Sequence, residues 1–531
     1  MRSLSMLALV AMGVGLVGCT GGTSGTDDKP TGTAATRPPT ESPASGSPTA
    51  IDSSTTGFTR DGFYVGSDFT AIRFRTQILR IERFSDYSVL RFKLTNLEEE
   101  QKHGLLVFGG GSPTGFGGFT LLDSVNRKMH YALRAGNAYG NAFGSRETWF
   151  QPGIPYDGFV YFPALPATVD RMTVLGPGSP GLFSGIPVVN GTEPPKAATD
   201  PPVPPGPSPM LGAVLPTGTI WRTSSDLVGL SEKEAQSTTT TATEETIGLR
   251  TDVLFAFDSA ALSAKAKTVL DEVAAETRAK ADPAKPPVIV TGHTDSKGDD
   301  SYNLKLSQKR AIAVQRELQA RIGSGYQYRT SGQGESEPIA KEGGPDDAQA
   351  RARNRRVEIS YQIKQVTPGT TTTSTPGAEI ATGAIAAPAA FRLNDKILTE
   401  RTATIGDVGY RLRVPPTFRD GAYLVVPFEF TRDKRLPAGL DGTRFDDLGS
   451  GCAGRYTDIT AIDPITKTTE LRVQIGPEPG LTPFCLGGTG GGVSPDIPVQ
   501  SYVYLPAPSA GTTKITLDAG PFGKIDNVPV E

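Results

Sequence analysis

Apolar and polar residues alternate along Ser88-Val89-Leu90-Arg91-Phe92-Lys93-Leu94-Thr95. That period of two predicts a strand with one buried face. Phe159-Val160-Tyr161-Phe162 predicts another, and Gly109-Gly110-Gly111 and Gly117-Gly118 punctuate the chain between them. Residues 57–189 therefore predict an antiparallel β-sandwich. Residues 390–531 are β-rich in the same way, and short stretches recur between the two regions. Phe92-Lys93-Leu94-Thr95 returns as Phe428-Glu429-Phe430-Thr431, Val160-Tyr161-Phe162-Pro163-Ala164 as Val503-Tyr504-Leu505-Pro506-Ala507, and Ile186-Pro187-Val188 as Val528-Pro529-Val530. The three matches keep their order, 336, 343 and 342 positions apart. Two related sandwiches are expected.

Between them the period changes. Leu262, Ala266, Val269, Leu270 and Val273 trace one face of a helix, with Ser263 placed to cap it. Val288-Ile289-Val290 predicts a buried strand, and Leu306, Val314 and Leu318 lie on an i, i+4 row of a second helix. Residues 246–249, 253–255, 326–328 and 357–361 predict further strands. The order β-α-β-α-β predicts a central α/β sandwich over 246–364, with helices covering one face of a mixed sheet. The fold class is multidomain, this unit being flanked by two all-β, immunoglobulin-like sandwiches.

The segments between these units read as linkers. Residues 19–56 are Thr, Gly, Ser, Pro and Ala, a disordered tether reaching on the order of 30–35 Å. Residues 190–209 are proline-rich. Residues 210–245 hold a candidate strand at Thr219-Ile220-Trp221-Arg222 and a threonine run, Thr238 to Thr241, with no assignable job. Residues 365–389 form the last linker.

Composition narrows the function. In 531 residues the formal net charge is −3, and the only histidines are His103, His130 and His293. No general nucleic-acid binding is expected. No nucleophile elbow, metal-binding histidine pair or phosphate loop occurs, so neither an enzyme nor a metal or cofactor is expected. The apolar run from Leu7 to Val17 follows Arg2 and ends at Leu16-Val17-Gly18-Cys19. It resembles a bacterial lipoprotein signal (residues 1–18), which makes Cys19 the lipidated residue and the membrane a partner. Cys452 and Cys485, an even pair in an exported chain, are expected to form a disulfide.

One residue breaks the pattern. Arg310 sits on the apolar row where a fourth apolar residue belongs, and a guanidinium there is costly without an anion or water. Asp295, just past the 288–290 strand, is the nearest plausible acidic neighbour. Facing one crevice, the two would suit a ligand bearing an ammonium and a carboxylate. An internal Asp295–Arg310 salt bridge fits the spacing equally well.

Thr294-Asp295-Ser296-Lys297-Gly298, Tyr302-Asn303 and Leu306-Ser307-Gln308-Lys309-Arg310-Ala311 together resemble the OmpA-like domain of peptidoglycan-associated lipoproteins and flagellar stator proteins. Val253-Leu254-Phe255-Ala256-Phe257-Asp258-Ser259 and Asn354-Arg355-Arg356-Val357-Glu358-Ile359 fit it too, over residues 246–364. The resemblance implies non-covalent binding of peptidoglycan through the diaminopimelate of its stem peptide. Asp295 would meet the ammonium and Arg310 the carboxylate, assisted by N–H groups at the helix start. Asp258 and Leu306 match contact positions, and Asn303 a loop-ordering one. His293 is expected to pack, Asp299 and Asp300 to be solvated loop acids, and Arg355 and Arg356 to be structural or solvent-facing.

The expected protein is thus a lipid-anchored tether between membrane and wall. It would lie in the outer membrane facing the periplasm of a two-membrane cell, since Thr20 is not aspartate, or on the outer face of a single plasma membrane. The alternative is an adhesin or protein-docking module whose sandwiches bind a partner, with the central domain as wall clamp.

Overall fold

The computed structural model describes residues 58–65, 71–102, 119–135, 138–139, 150–178, 181–194, 220, 224–285, 287–364, 385–393, 396–405, 408–434, 459–476, 484–487 and 496–531. Cys19 and the signal, the tether, Trp221, most of both later linkers and Cys452 lie outside the described residues.

The repeat extends to strand register. In the first β unit Tyr87–Asn96 pairs antiparallel with Pro155–Pro163, setting Leu90 opposite Val160 and Val89 opposite Tyr161. In the second, Tyr423–Arg432 pairs with Val499–Pro506, setting Val426 opposite Val503 and Val425 opposite Tyr504. These are the same partners shifted by 336 and 343 positions. Arg171–Leu175 against Leu182–Asn190 carries an irregularity between Phe183 and Ile186. Lys514–Asp518 against Lys524–Pro529 carries it at the equivalent place. Even the turns agree: Arg127 and Lys467, each in a hairpin, take φ of 55° and 57°. Asp123 and Asp463 accept the backbone N–H of Asn126 and Thr466 there, the local bonding by which aspartate favours turns.

The first unit is not the purely antiparallel sandwich expected. Leu182–Asn190 also runs parallel to Ala71–Arg83, with Val188 beside Ile81, so the sheets are mixed.

The two units are not separate beads. Leu122, Met129, Leu175 and Leu182 of the first share a buried core with Tyr423, Val425, Tyr502 and Tyr504 of the second. A carboxylate sits in this interface. Asp420, fully buried, accepts from Ser124 Oγ at 2.8 Å, Thr173 Oγ1 at 2.8 Å, Tyr504 OH at 3.0 Å and the Ala389 N–H at 3.0 Å. Gly421 next to it (φ 59°) packs so closely that a Cβ would lie 2.5 Å from the Ser124 carbonyl.

The passage without an assigned job holds the units together. Ser224–Glu232 pairs with Lys128–Tyr131 of the first unit, with Thr469–Glu470 and Gln474–Ile475 of the second, and with Gln236–Thr240. Gln236–Thr240 pairs onward with Glu244–Arg250, the first expected strand of the central sheet. The threonine run is strand, as β-branched residues favour.

The central sheet runs in the order Gln236–Thr240, Glu244–Arg250, Arg356–Gln362, Val288–His293, Tyr328–Gly334, antiparallel except at the last step. Helices Ala264–Lys280 and Asp300–Ile322 supply Leu270, Val273, Ala311, Val314 and Leu318 to a core with Leu249, Val290, Val357 and Ile359. Ser263 caps the first helix, its Oγ accepting from Ala266 N. A third helix, Asp347–Asn354, precedes the last strand. Residues 253–255 are not strand: Thr251–Leu254 is one helical turn. A short apolar run buried in either conformation reads alike in sequence.

Candidate functional site

Helix Asp300–Ile322 lies hard against the sheet. A Cβ on Gly292 would fall 2.1 Å from Ser307 O, and one on Gly332 would fall 2.5 Å from Gln308 N. Only glycine permits that approach; one turn further along the same helix, Arg310 lies against the 255–259 segment.

That loop is fastened from three directions. Asn303, buried, donates from Nδ2 to Lys297 O at 3.0 Å and to Glu335 Oε2 at 2.7 Å, the ordering role expected of it. Glu342 accepts from Ser296 Oγ at 2.5 Å and from Asn354 Nδ2 at 2.7 Å. Burial pushes the Glu342 carboxyl up, but these hydrogen bonds bring it below its ordinary value. Thr294 N donates to Gly334 O at 2.8 Å.

Asp295 and Arg310 do not form the salt bridge that spacing allowed. Asp295 Oδ2 takes Arg355 Nη1 at 2.6 Å instead. The same guanidinium grips Asp252 through Nε at 3.0 Å and Nη2 at 2.9 Å. The Asp252 bonds first, then those to Asp295, hold the Arg355 cation above its already high ordinary value. Arg355 is therefore structural in the specific sense that it sets the Asp295 carboxylate.

Arg310 is 5 % exposed. Its Nε donates to Ser259 O at 2.9 Å, and its guanidinium lies 5.4 Å from the centroid of the Phe255 ring. Among the described residues no carboxylate forms an ion pair with it. Burial lowers its pKa, and the charges of Asp258 and Asp252 offset this only in part. Asp258 takes a left-handed backbone, φ 54°, and accepts from Tyr302 OH at 2.5 Å. Leu306 is half-buried on the same helix, short of the core that Val314 and Leu318 join.

One expectation is corrected, that N–H groups at the helix start assist a ligand carboxylate. Asp299 is the N-cap of the Asp300–Ile322 helix, accepting from Ser301 N at 2.9 Å and Tyr302 N at 3.2 Å, and these bonds, led by that from Ser301 Oγ, lower its pKa. The first N–H groups of the helix are thereby satisfied and do not await a ligand. Arg356 is buried and pairs with Glu358 at 2.6 Å, the structural one of the two roles expected for it. His293 is 1 % exposed, with Nε2 3.5 Å from Glu358 Oε2, and packs as expected. Asp252 carried no sequence signal of its own, and Tyr302 only its place in the Tyr302-Asn303 motif. Among the described residues no cluster could hold a metal ion, and no helix is long and apolar enough to cross a membrane.

The model of the OmpA family matches residues 254–355. The chain is 39 % identical over 108 residues to outer membrane protein A of Bordetella avium, covering 20 % of this chain and 53 % of that one. It is 36 % identical over 109 residues to the peptidoglycan-associated lipoprotein of Pseudomonas putida, covering 20 % of this chain and 61 % of that one. The chain thus spans little more than half the length of these relatives. The cell wall anchor of the type VI secretion system of Pseudomonas aeruginosa is similar at 32 % identity, over 26 % of this chain and 88 % of that one, with a TM-score of 0.21. Residues 254–355 are an OmpA family domain, homologous to those of outer membrane protein A and the peptidoglycan-associated lipoproteins, within a larger and mostly β chain.

Proposed function

We propose that this protein binds peptidoglycan non-covalently in the cell envelope, through the diaminopimelate of the stem peptide. The carrying observation is Arg310: a buried guanidinium with one hydrogen bond and no carboxylate partner among the described residues. A ligand carboxylate completes it as a charge-assisted, fork-shaped pair. Asp295 is held in place by Arg355 with only a 3.3 Å contact, from Lys297 N, on its Oδ1, so that oxygen is available to an ammonium. Asp258 adds negative charge from the other side, and Leu306 offers apolar contact. The reading is of a binding protein, not an enzyme.

In this reading Cys19 carries the lipid and residues 19–56 span from membrane to wall, in the outer membrane if the cell has one. The flanking units are taken as immunoglobulin-like. Cys485, 4 % exposed, closes a disulfide with Cys452. Sedimentation of the soluble chain with two kinds of sacculi tests the site. Diaminopimelate-containing wall should carry it down, and lysine-type wall, lacking the second carboxylate, should do so far less. Equal retention on both would sink the assignment of Arg310.

A further inference from the structure

A cavity of about 870 Å³ opens between the edge of the central sheet and the second β unit, within the usual size of small-molecule sites. Strands Ser224–Glu232 and Gln236–Thr240, helix Ala264–Lys280 and turns of the second unit wall it. Most of its charges are already engaged. Lys280 Nζ reaches Glu245 at 2.8 Å and Glu276 at 2.7 Å. Arg419 donates to the carbonyls of Pro508 and Ser509 at 2.8 and 2.7 Å.

Among the described residues, two buried groups on the wall are not engaged. Glu470 is 6 % exposed, and among the described residues its carboxyl has neither hydrogen bond nor ion pair. Tyr423 is 1 % exposed, and among the described residues its hydroxyl has no hydrogen-bond partner. The repeat supplies a contrast, because the residue 340 positions before Glu470 is His130, which is also buried and also pairs with Ser224–Glu232. His130 Nδ1 finds Ser224 Oγ at 2.8 Å. A buried polar group left without its hydrogen bond is costly, and a donor-rich occupant removes that cost.

The lining holds five acidic and five basic side chains, so its formal charge selects no ion. Thr238, Thr466, Thr468 and Ser509 add hydroxyl groups to the wall. We infer that this cavity takes a neutral polyhydroxylated ligand, a saccharide, anchored by hydrogen bonds to Glu470 and Tyr423. Burial, with the Asp463 charge adding to it, pushes the Glu470 carboxyl up to about 8. Near neutrality it can therefore donate as well as accept, which suits sugar hydroxyls. The inference is independent of the peptidoglycan reading, since the cavity shares no residue with the Asp295–Arg310 crevice.

The test uses the soluble chain with chitotriose, maltotriose and ethylamine as probes, read by saturation-transfer NMR and calorimetry. At least one saccharide should bind, the N-acetylated one marking wall glycan as the source and maltotriose a plain glucan. Tyr423→Phe and Glu470→Met should each weaken it tenfold or more, and Arg310→Met should leave it unchanged. Glu470→Met removes a carboxyl without a partner, so its melting temperature should not fall. If it does, Tyr423→Phe, which deletes a single unpartnered hydroxyl, reads the same site. Failure of both saccharides to bind, binding of ethylamine alone, or unchanged affinity in both variants overturns the inference.

Discussion

Arg310 in the central domain and Asp420 between the two β units are both buried charges, and burial drives both toward neutrality. They differ in saturation. Asp420 has four donors, two from each side of the interface it joins if Ala389 is counted with the second unit. Arg310 has one acceptor. A buried charge whose bonds close within the chain is part of the architecture, whereas one left open is set for something outside it. Saturation separates the two, and burial alone does not.

The contrast breaks first at Asp420. Asp420→Ala strands two hydroxyls of the first unit together with Tyr504 OH and Ala389 N. It should cost about 3–5 kcal/mol of unfolding free energy, measured by denaturant titration, with wall binding by the folded protein unchanged. A loss under about 1 kcal/mol would mean that the four bonds do not hold the interface. Arg310→Met should behave in the opposite way. Wall binding should fall about 30- to 1,000-fold, the 2–4 kcal/mol typical of a desolvated charge-assisted pair, while stability changes by about 1 kcal/mol or less. If Arg310→Met unfolded the protein as readily as Asp420→Ala, the two charges would belong to one class.

Glu470 extends the comparison, being open like Arg310 but in the cavity wall. Its carboxyl is pushed from 4.5 up to about 8, so between those values the folded state holds a proton that the unfolded chain has released. Stability from this group therefore falls as pH rises from about 4.5 to 8, and is level outside that window. Glu470→Gln removes this contribution. Relative to its own value at pH 4, the variant should be more stable than the parent at pH 8 by on the order of 2 kcal/mol, less than the full displacement would give. Asp420, displaced in the same direction, leaves the variant with a shallower slope of the same sign. Parallel pH profiles for the two proteins would show that Glu470 is already satisfied.

Legibility in the sequence followed the same division. The repeat was readable because its matched stretches are paired strands whose apolar positions are buried. Arg310 was readable because a cation interrupts an apolar row, and Asp295 because it follows a buried strand. Arg355 was not, since its partners Asp295 and Asp252 lie 60 and 103 residues away and no local pattern encodes such distances. The 224–240 hairpin was hidden because its threonines look like linker and its apolar face is sparse, Leu227 being its buried aliphatic. Asp420 left no trace either: its counterpart 336 positions earlier is Phe84, an aromatic stacked near Tyr87, so the duplication itself gave no reason to expect a polar tie there.

The smallest effect lies at the start of the site helix, and it sharpens what openness means. Asp299, exposed as expected, is also the cap that closes the Ser301 and Tyr302 N–H groups. Asp299→Ala should lower stability slightly, through loss of the cap, seen as a small shift of the denaturation midpoint. Because those N–H groups are used by the chain and not by ligand, wall binding should change less than twofold. Asp299→Asn, which keeps the acceptor and loses the charge, should recover most of the stability. A large loss of binding in Asp299→Ala with the helix intact would place the helix start inside the site. Arg310 would then share the ligand carboxylate with the backbone, and the line between closed and open groups would have to be redrawn one turn earlier along this helix.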